Sequence, residues 1–177
     1  MSESLLFDDA AIAQALHELA EQIRQKKLQR MAIVGIRTGG AAVAAALRDL
    51  LLDLAPDFGL LDITLYRDDA LAQGANARLL GTDLPFDVDG RELVLVDDVL
   101  FTGRTVRAAM AAICDLGRPK RVYLCALIDR GGRELPIAAD FVGFHVEADG
   151  AERVVLRTEQ ELPKDVLLEP NRALSSR

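Results

Sequence analysis

The sequence predicts an α/β fold in which a mostly parallel sheet is flanked by helices. Short apolar segments alternate with helical ones along the chain, and strands joined by helices usually pair in parallel. Half of the 177 residues are hydrophobic, but only 5% are aromatic and none is Trp. The core is therefore expected to consist of Leu, Val, Ile and Ala, which is typical of a buried parallel sheet. The length suits one domain, and we expect residues 1–177 to form it.

The first half of the chain supplies two predicted helices and two predicted strands. Asp8 or Asp9 is suited to cap a helix, since apolar residues follow at helical spacing. The uninterrupted apolar run Met31–Ile36 predicts a buried strand, and the Ala- and Leu-rich residues 41–54 predict a helix. Apolar and polar side chains alternate over residues 61–66, which predicts a second strand.

The second half begins with a long segment that has no periodicity, residues 67–91, and long loops inside compact domains are usually functional. The apolar residues 93–97 then predict a strand. A helix is predicted over Arg104–Leu116, because Gly117 and Pro119 follow as stop signals. Further strands are predicted at residues 121–128, 141–146 and 154–156. Ligands of such sheets bind outside the carboxyl ends of the strands, so the loops at those ends are the candidate site.

Two adjacent carboxylates, Asp97 and Asp98, end the predicted strand 93–97 and precede a loop of hydroxyl and glycine residues. Carboxylates accept hydrogen bonds from sugar hydroxyls, while backbone N–H groups at a helix start bind phosphate. The pattern therefore favours a ribose that carries a phosphate. A plain helix capped by Thr102 is the simpler alternative for the loop. A metal held directly by both carboxylates is less favoured, since no further oxygen ligand follows at calcium-loop spacing.

Two further strand ends carry weaker signals. The turn at residues 37–40 offers N–H groups to a second anion, or is only a tight turn. Residues 129–132 suit the wall of a base pocket, or are a surface turn. Arg67 begins the long loop, where it is placed to reach a phosphate if the loop closes as a lid.

Composition and charge disfavour several classes of function. The formal charge of −7 and the pI of about 4.9 disfavour a general nucleic-acid binder. Cys114 and Cys125 are expected to be reduced core residues, and His17 and His145 are too few for a dedicated zinc site. The acidic N-terminus and the short apolar runs predict neither a signal peptide nor a membrane span, so a cytoplasmic location is expected. No P-loop and no dinucleotide fingerprint is present in the sequence.

Three motifs in order give the chain a family resemblance. Residues 94–105 resemble the phosphoribosyl-pyrophosphate signature of type I phosphoribosyltransferases, with a hydrophobic strand, two acidic residues and a Thr-Gly loop. Together with residues 61–69 and 129–137, they are similar to the family of bifunctional pyrimidine-operon regulators and uracil phosphoribosyltransferases. The resemblance runs from about Leu5 to about Leu168. It implies the type I phosphoribosyltransferase fold, with a small hood and a flexible loop.

The resemblance also implies a reaction, in which uracil attacks C1 of phosphoribosyl pyrophosphate to give UMP and pyrophosphate with Mg²⁺ present. Asp97 and Asp98 would hold the ribose hydroxyls, and Arg67 would start the mobile loop. Mg²⁺ would be held through the substrate, with Asp97 and Asp98 as its possible protein contacts. The implied substrate-binding residues are Thr38, Gly39 and Gly40 at the pyrophosphate, Leu100, Phe101, Thr102, Gly103, Arg104 and Thr105 at the 5′-phosphate, Asp129 and Arg130 at uracil, and Val99, which directly precedes the phosphate loop.

Implied partners are phosphoribosyl pyrophosphate, uracil, UMP, a second copy of the chain in a homo-oligomer, and the leader RNA of pyrimidine genes. The alternatives to the enzyme are a UMP-dependent RNA-binding attenuator with little catalytic role and a phosphoribosyltransferase for a purine base. The chain departs from the family pattern at Gly39, where Arg or Lys is common. It also lacks basic side chains at Ala138 and Phe144, and has Glu21 where regulatory members often carry His.

Overall fold

A computed structural model describes residues 3–37, 39–66, 81–149 and 152–170, and it contains two sheets. Thr38 and residues 67–80, which include Arg67 and the first part of the proposed lid, lie outside these residues. The helices are α1 (Asp9–Gln25), α2 (Gly39–Leu50) and α3 (Arg104–Leu116). The strands are β1 (Ser4–Phe7), β2 (Met31–Ile36), β3 (Asp57–Leu61), β4 (Glu92–Leu100), β5 (Arg121–Asp129), β6 (Phe141–His145), β7 (Glu152–Glu159) and β8 (Leu162–Pro170).

The larger sheet has the strand order β3-β2-β4-β5-β6, and all of its neighbouring strands are parallel. Its central strands are apolar on both faces because helices cover both sides. Ile33 and Val94 face one core cluster, which α1 and α2 complete, whereas Val34 and Leu95 face a second one beneath α3. This arrangement confirms the predicted α/β class with a mostly parallel sheet.

The smaller sheet, with the order β1-β8-β7, is antiparallel and forms a hood, so we call it the hood sheet. Only residues 154–156 were predicted as a strand in this region, and the sheet is much larger than that prediction. Leu5 pairs with Leu167, so the sheet joins the two ends of the described chain. Local sequence patterns carry no information on a pairing between segments so far apart in the sequence.

Of two predicted elements in the first half, one is wrong in its limits and the other in its type. The predicted helix 41–54 begins earlier, at Gly39, and ends at Leu50, and a separate 3₁₀ turn follows at Leu52–Leu54. The predicted strand 61–66 is instead the end of β3 followed by a turn. Its alternating pattern was misleading because the Asp62 carboxylate accepts hydrogen bonds from the backbone N–H and the hydroxyl of Thr64, which starts a 3₁₀ turn.

Other elements agree with prediction more closely. Asp8 caps α1, since its carboxylate accepts a hydrogen bond from the N–H of Ala11 at 2.9 Å. Strand β4 continues through the two carboxylates to Leu100, three residues beyond its predicted end. Cys125 is buried as expected, but Cys114 is exposed, because it lies outside the buried face of α3. In the described part of the chain, no helix combines the length and hydropathy needed to cross a membrane.

Candidate active site at the carboxyl end of the parallel sheet

The two carboxylates at the end of β4 lie in different environments. Asp97 is buried, with 5% of its surface exposed, and its Oδ1 accepts a hydrogen bond from the N–H of Asp98 at 3.1 Å. Burial, followed by the negative charge of Asp98, raises the pKa of Asp97 well above its ordinary value. Asp98 is only half-buried and lines a cavity of about 350 Å³. Of the two groups, Asp98 is therefore the one that faces a ligand in this cavity.

The start of α2 packs directly against these carboxylates, and two glycines make that approach possible. A Cβ atom on Gly40 would overlap the carbonyl oxygen of Val96 and lie 3.0 Å from Cα of Asp97. A Cβ atom on Gly39 would overlap the carboxylate of Asp98. The positive end of the α2 dipole is thus next to Asp98, where it favours negative charge, including that of a bound phosphate.

The loop between β4 and α3 is held by a glycine cap and by its own backbone. Gly103, and not Thr102 as in the simpler interpretation, occupies the N-cap position of α3, with φ of +90°, a left-handed conformation that suits glycine. The Thr102 hydroxyl instead accepts a long hydrogen bond of 3.3 Å from the N–H of Arg104. The carbonyl of Thr102 accepts hydrogen bonds from the N–H groups of Glu134 and Leu135, at 3.0 and 3.1 Å.

Arg104 and Thr105 open α3 on the surface of this loop. The Arg104 guanidinium donates to the Glu134 carboxylate at 2.7 Å, and both side chains are about half exposed. An exposed pair of this kind contributes little to stability and is easily exchanged for a ligand. Thr105 is half-buried in the first turn of the helix, where hydroxyl and backbone donors converge.

Phe101 and Arg130 form the side of the site that touches the hood. The Arg130 guanidinium lies over the Phe101 ring, with Cζ 3.9 Å from the ring centroid. It also donates to three backbone carbonyls at the start of β7 and in the segment before it, at 3.2 Å to Glu152, 3.2 Å to Asp149 and 3.4 Å to Ala148. Burial lowers the pKa of Arg130. This side chain, predicted to surround a base, is therefore largely used in joining the hood to the loop.

Asp129 is likewise occupied by neighbouring groups. Its carboxylate accepts from Arg133 at 2.6 Å and from the N–H of Gly131 at 2.9 Å. Burial alone would raise the pKa of Asp129, but these hydrogen bonds and the charge of Arg133 outweigh it, so the pKa lies below its ordinary value. Asp129 is therefore held as a carboxylate that orders its own loop.

The cavity is lined by predicted site residues from distant parts of the chain and by residues that the sequence motifs did not indicate. Its opposite wall is the start of β7, with exposed Arg153 and the apolar side chains of Val154, Val155 and Leu156. Of the predicted substrate-binding residues, Gly39, Val99, Phe101 and Arg130 line the cavity together with Asp98, while Leu100 is buried in the core. Arg153 carried no motif, and only the folding of the hood sheet places it opposite Asp98.

This geometry places an acidic strand end beside two helix starts, an arrangement suited to a ligand that carries both hydroxyl and phosphate groups. A family model described as the phosphoribosyl transferase domain matches residues 3–156. The chain belongs to the phosphoribosyl transferase family. Solved structures agree on the fold: hypoxanthine phosphoribosyltransferase of Trypanosoma cruzi has a TM-score of 0.67 at 20% identity, covering 95% of this chain and 97% of that one.

A second solved structure, hypoxanthine-guanine phosphoribosyltransferase from Bacillus anthracis, gives a TM-score of 0.66 at 21% identity, with 81% of this chain and 83% of that one covered.

Three curated relatives are more similar in sequence, and each carries the name Bifunctional protein PyrR. The relative in Chloroflexus aurantiacus is 49% identical, covering 88% of each chain. Those in Listeria monocytogenes and Geobacter sp. are 46% and 40% identical, covering 86% and 94% of this chain and 88% and 97% of theirs.

Proposed function

We propose that this protein is a uracil phosphoribosyltransferase that acts in the cytoplasm, as a single domain and as a homo-oligomer. The reaction joins N1 of uracil to C1 of phosphoribosyl pyrophosphate, releases pyrophosphate with the bonding electrons of the broken C1–O bond, and frees the N1 proton. The observation that carries the proposal is the cavity in which Asp98, the start of α2 and the apolar start of β7 meet. The name of the 40–49% identical relatives supports the pyrimidine base.

In this proposal each part of the site has a task. Asp98, with Asp97 behind it, accepts hydrogen bonds from the ribose hydroxyls, and the loop from Leu100 to Thr105 receives the 5′-phosphate. Residues 38–40 lie at the pyrophosphate, and Arg67 starts the mobile loop over the site. The transition state is oxocarbenium-like, so catalysis rests on positioning and on electrostatic stabilisation of the leaving group.

Mg²⁺ fits this donor set when the substrate supplies most of its ligands. In the described ranges, no group of three or more His, Cys, Asp or Glu side chains is placed to hold a metal. Asp98 offers the hard oxygen that Mg²⁺ prefers, and Asp97 is its neighbour. When bound, the ion would neutralise charge on the pyrophosphate.

The test is a turnover assay with purified protein, phosphoribosyl pyrophosphate and Mg²⁺, in which UMP and pyrophosphate are measured. Uracil is compared with hypoxanthine and guanine at equal concentrations. The proposal requires UMP formation with uracil at a kcat/KM at least about a hundredfold above that with either purine. Turnover of a purine but not of uracil would transfer the function to the alternative base class.

A second candidate function is regulation of pyrimidine genes through UMP-dependent binding of leader RNA, and the word "Bifunctional" in the relatives' name favours it. Three positions where the resemblance implies basic or His side chains are Glu21, Ala138 and Phe144. Phe144 stacks on Phe7 of the hood sheet, with ring centroids 3.8 Å apart, so it serves packing. Missing cations lower RNA affinity through the counterion-release contribution.

Titration of the protein with its organism's pyrimidine-gene leader transcript, with and without UMP and against an unrelated RNA, tests this function. Tight binding that depends on UMP and on the transcript establishes the regulator. Weak binding equal to that of the unrelated RNA leaves the enzyme alone.

A further inference from the structure

Arg133 connects three segments around the proposed phosphate loop through a single guanidinium. Nε donates to the carbonyl of Ile137 at 2.9 Å, and Nη2 donates to the Asp129 carboxylate at 2.6 Å. Nη1 donates to the carbonyls of Leu100, Phe101 and Gly131, at 3.2, 2.8 and 3.1 Å. The side chain is 23% exposed. So many bonds from one side chain fix the relative positions of the three segments.

The two loop carbonyls decide which way the loop's N–H groups point. In a trans peptide unit, the C=O and the N–H that follows it point in opposite directions. Because Arg133 holds the carbonyls of Leu100 and Phe101, the N–H groups of Phe101 and Thr102 point away from Arg133. Backbone N–H groups turned to one side of a loop are what an anion site requires.

Asp129 keeps Arg133 in place. Its Oδ2 accepts from Arg133, while its Oδ1 accepts from the N–H of Gly131. The carboxylate thus fixes the guanidinium with one oxygen and its own loop with the other. Charge-assisted bonds of this type are about twice as strong as neutral ones.

We propose that Arg133 is a positioning residue for the phosphate end of phosphoribosyl pyrophosphate: it holds the loop after β4 in its binding conformation without touching the substrate. The inference rests on the proposed function and deepens it, since it separates affinity for the phosphorylated substrate from affinity for the base. The side chain on which this depends carried no assigned role in the sequence motifs.

The test compares Arg133→Lys with Arg91→Lys. Arg91 is a matched control because its side chain is 15% exposed, its Nε donates to the carbonyl of Asp87 at 2.6 Å, and it pairs with Asp57 at the amino end of the sheet. Both substitutions keep the charge and lose the planar fork that allows several simultaneous bonds. The KM of each substrate, kcat and the Tm are measured for both variants.

We expect Arg133→Lys to raise the KM for phosphoribosyl pyrophosphate about tenfold, with the KM for uracil and kcat within about twofold of wild type. Arg91→Lys should lower the Tm similarly and leave both KM values unchanged. An unchanged KM for phosphoribosyl pyrophosphate in Arg133→Lys, or equal shifts in the two variants, overturns the inference while the proposed function stands.

Two further measurements cover the remaining outcomes. If Arg133→Lys does not fold, Asp129→Asn takes its place, since it weakens the anchor of Arg133 and should raise the same KM about threefold; no rise overturns the inference. If the wild type forms no UMP, the proposed function fails. Calorimetric titration with phosphoribosyl pyrophosphate then decides. An affinity about tenfold weaker for Arg133→Lys than for the wild type supports the inference. Equal affinities of the two proteins, or no binding by the wild type, overturn it.

Discussion

Gly40 lies directly against Asp97, so that a Cβ atom at position 40 would stand 3.0 Å from Cα of Asp97 and overlap the carbonyl oxygen of Val96. Both obstacles are backbone of the buried strand β4, which has no room to move. We therefore expect Gly40→Ala to push α2 away from β4, to lower the free energy of unfolding by about 1–3 kcal/mol and to reduce kcat/KM at least about tenfold. Chemical denaturation and the turnover assay measure the two effects.

Gly39→Ala is the matched control for that substitution. The three atoms nearest to the added methyl group all belong to the carboxylate of Asp98, a side chain that is able to rotate. Its cost in unfolding free energy should be well below that of Gly40→Ala. Equal destabilisation by the two variants would mean that contact with the β4 backbone does not decide the position of α2.

Asp98 faces the cavity, and its charge is the feature that the proposed ribose contact needs. Asp98→Asn should abolish turnover while the fold stays intact, because an amide offers one acceptor where the carboxylate offers two. Circular dichroism and Tm report the fold. Asp49→Asn, which changes an exposed carboxylate on α2, should retain wild-type kinetics. Near-normal turnover by both Asp98→Asn and Asp97→Asn would remove the ribose role from this pair.

Asp97 should lower the free energy of unfolding at neutral pH. Burial and the charge of Asp98 raise its pKa well above the ordinary value, so between about pH 3.9 and that raised pKa the folded state binds the proton that the unfolded state has lost. The contribution of this group to the free energy of unfolding therefore falls as pH rises through that window. Asp97→Asn cannot ionise, and it should be inactive yet melt at least about 3 °C higher at pH 7.

The pH dependence is the check on that explanation. The Tm difference between Asp97→Asn and wild type should shrink as the pH is lowered from 7 toward about 3.9, because the unfolded-state carboxyl then begins to take up the proton that the folded state already holds. A Tm difference that stays constant from pH 4 to pH 7 would contradict ionisation of Asp97 as its cause.

Thr105 tests the phosphate end of the site. Thr105→Ala removes a hydroxyl from the first turn of α3 and should raise the KM for phosphoribosyl pyrophosphate about three- to tenfold, which corresponds to the roughly 1 kcal/mol that an average hydrogen bond contributes. Thr105→Ser keeps the hydroxyl and should restore the KM to within about twofold of wild type. An unchanged KM in Thr105→Ala would place the phosphate elsewhere.

Local sequence patterns were sufficient to predict the parallel strands, the end of α3 and the position of the acidic loop. The apolar runs of β2, β4 and β5 identified buried parallel strands, and the stop at Gly117 fixed the end of α3. The acidic pair followed by the Thr-Gly loop indicated the site, because ligands of parallel α/β sheets bind where a strand ends and a helix begins. Periodicity and turn residues act over a few positions, and within that range most predicted elements were confirmed, whereas the alternating residues 61–66 form a turn and not a strand.

The residues that lie opposite that loop are set by long-range strand pairing. The hood sheet forms because β1 pairs with β8, at the other end of the described chain, and this pairing brings Arg153 and the apolar start of β7 to Asp98. The long-range bonds of Arg130 and Arg133 likewise come from the fold, since they join the loop after β4 to segments that no local pattern places beside it. Such contacts depend on where segments distant in the chain meet, which no short window of sequence records.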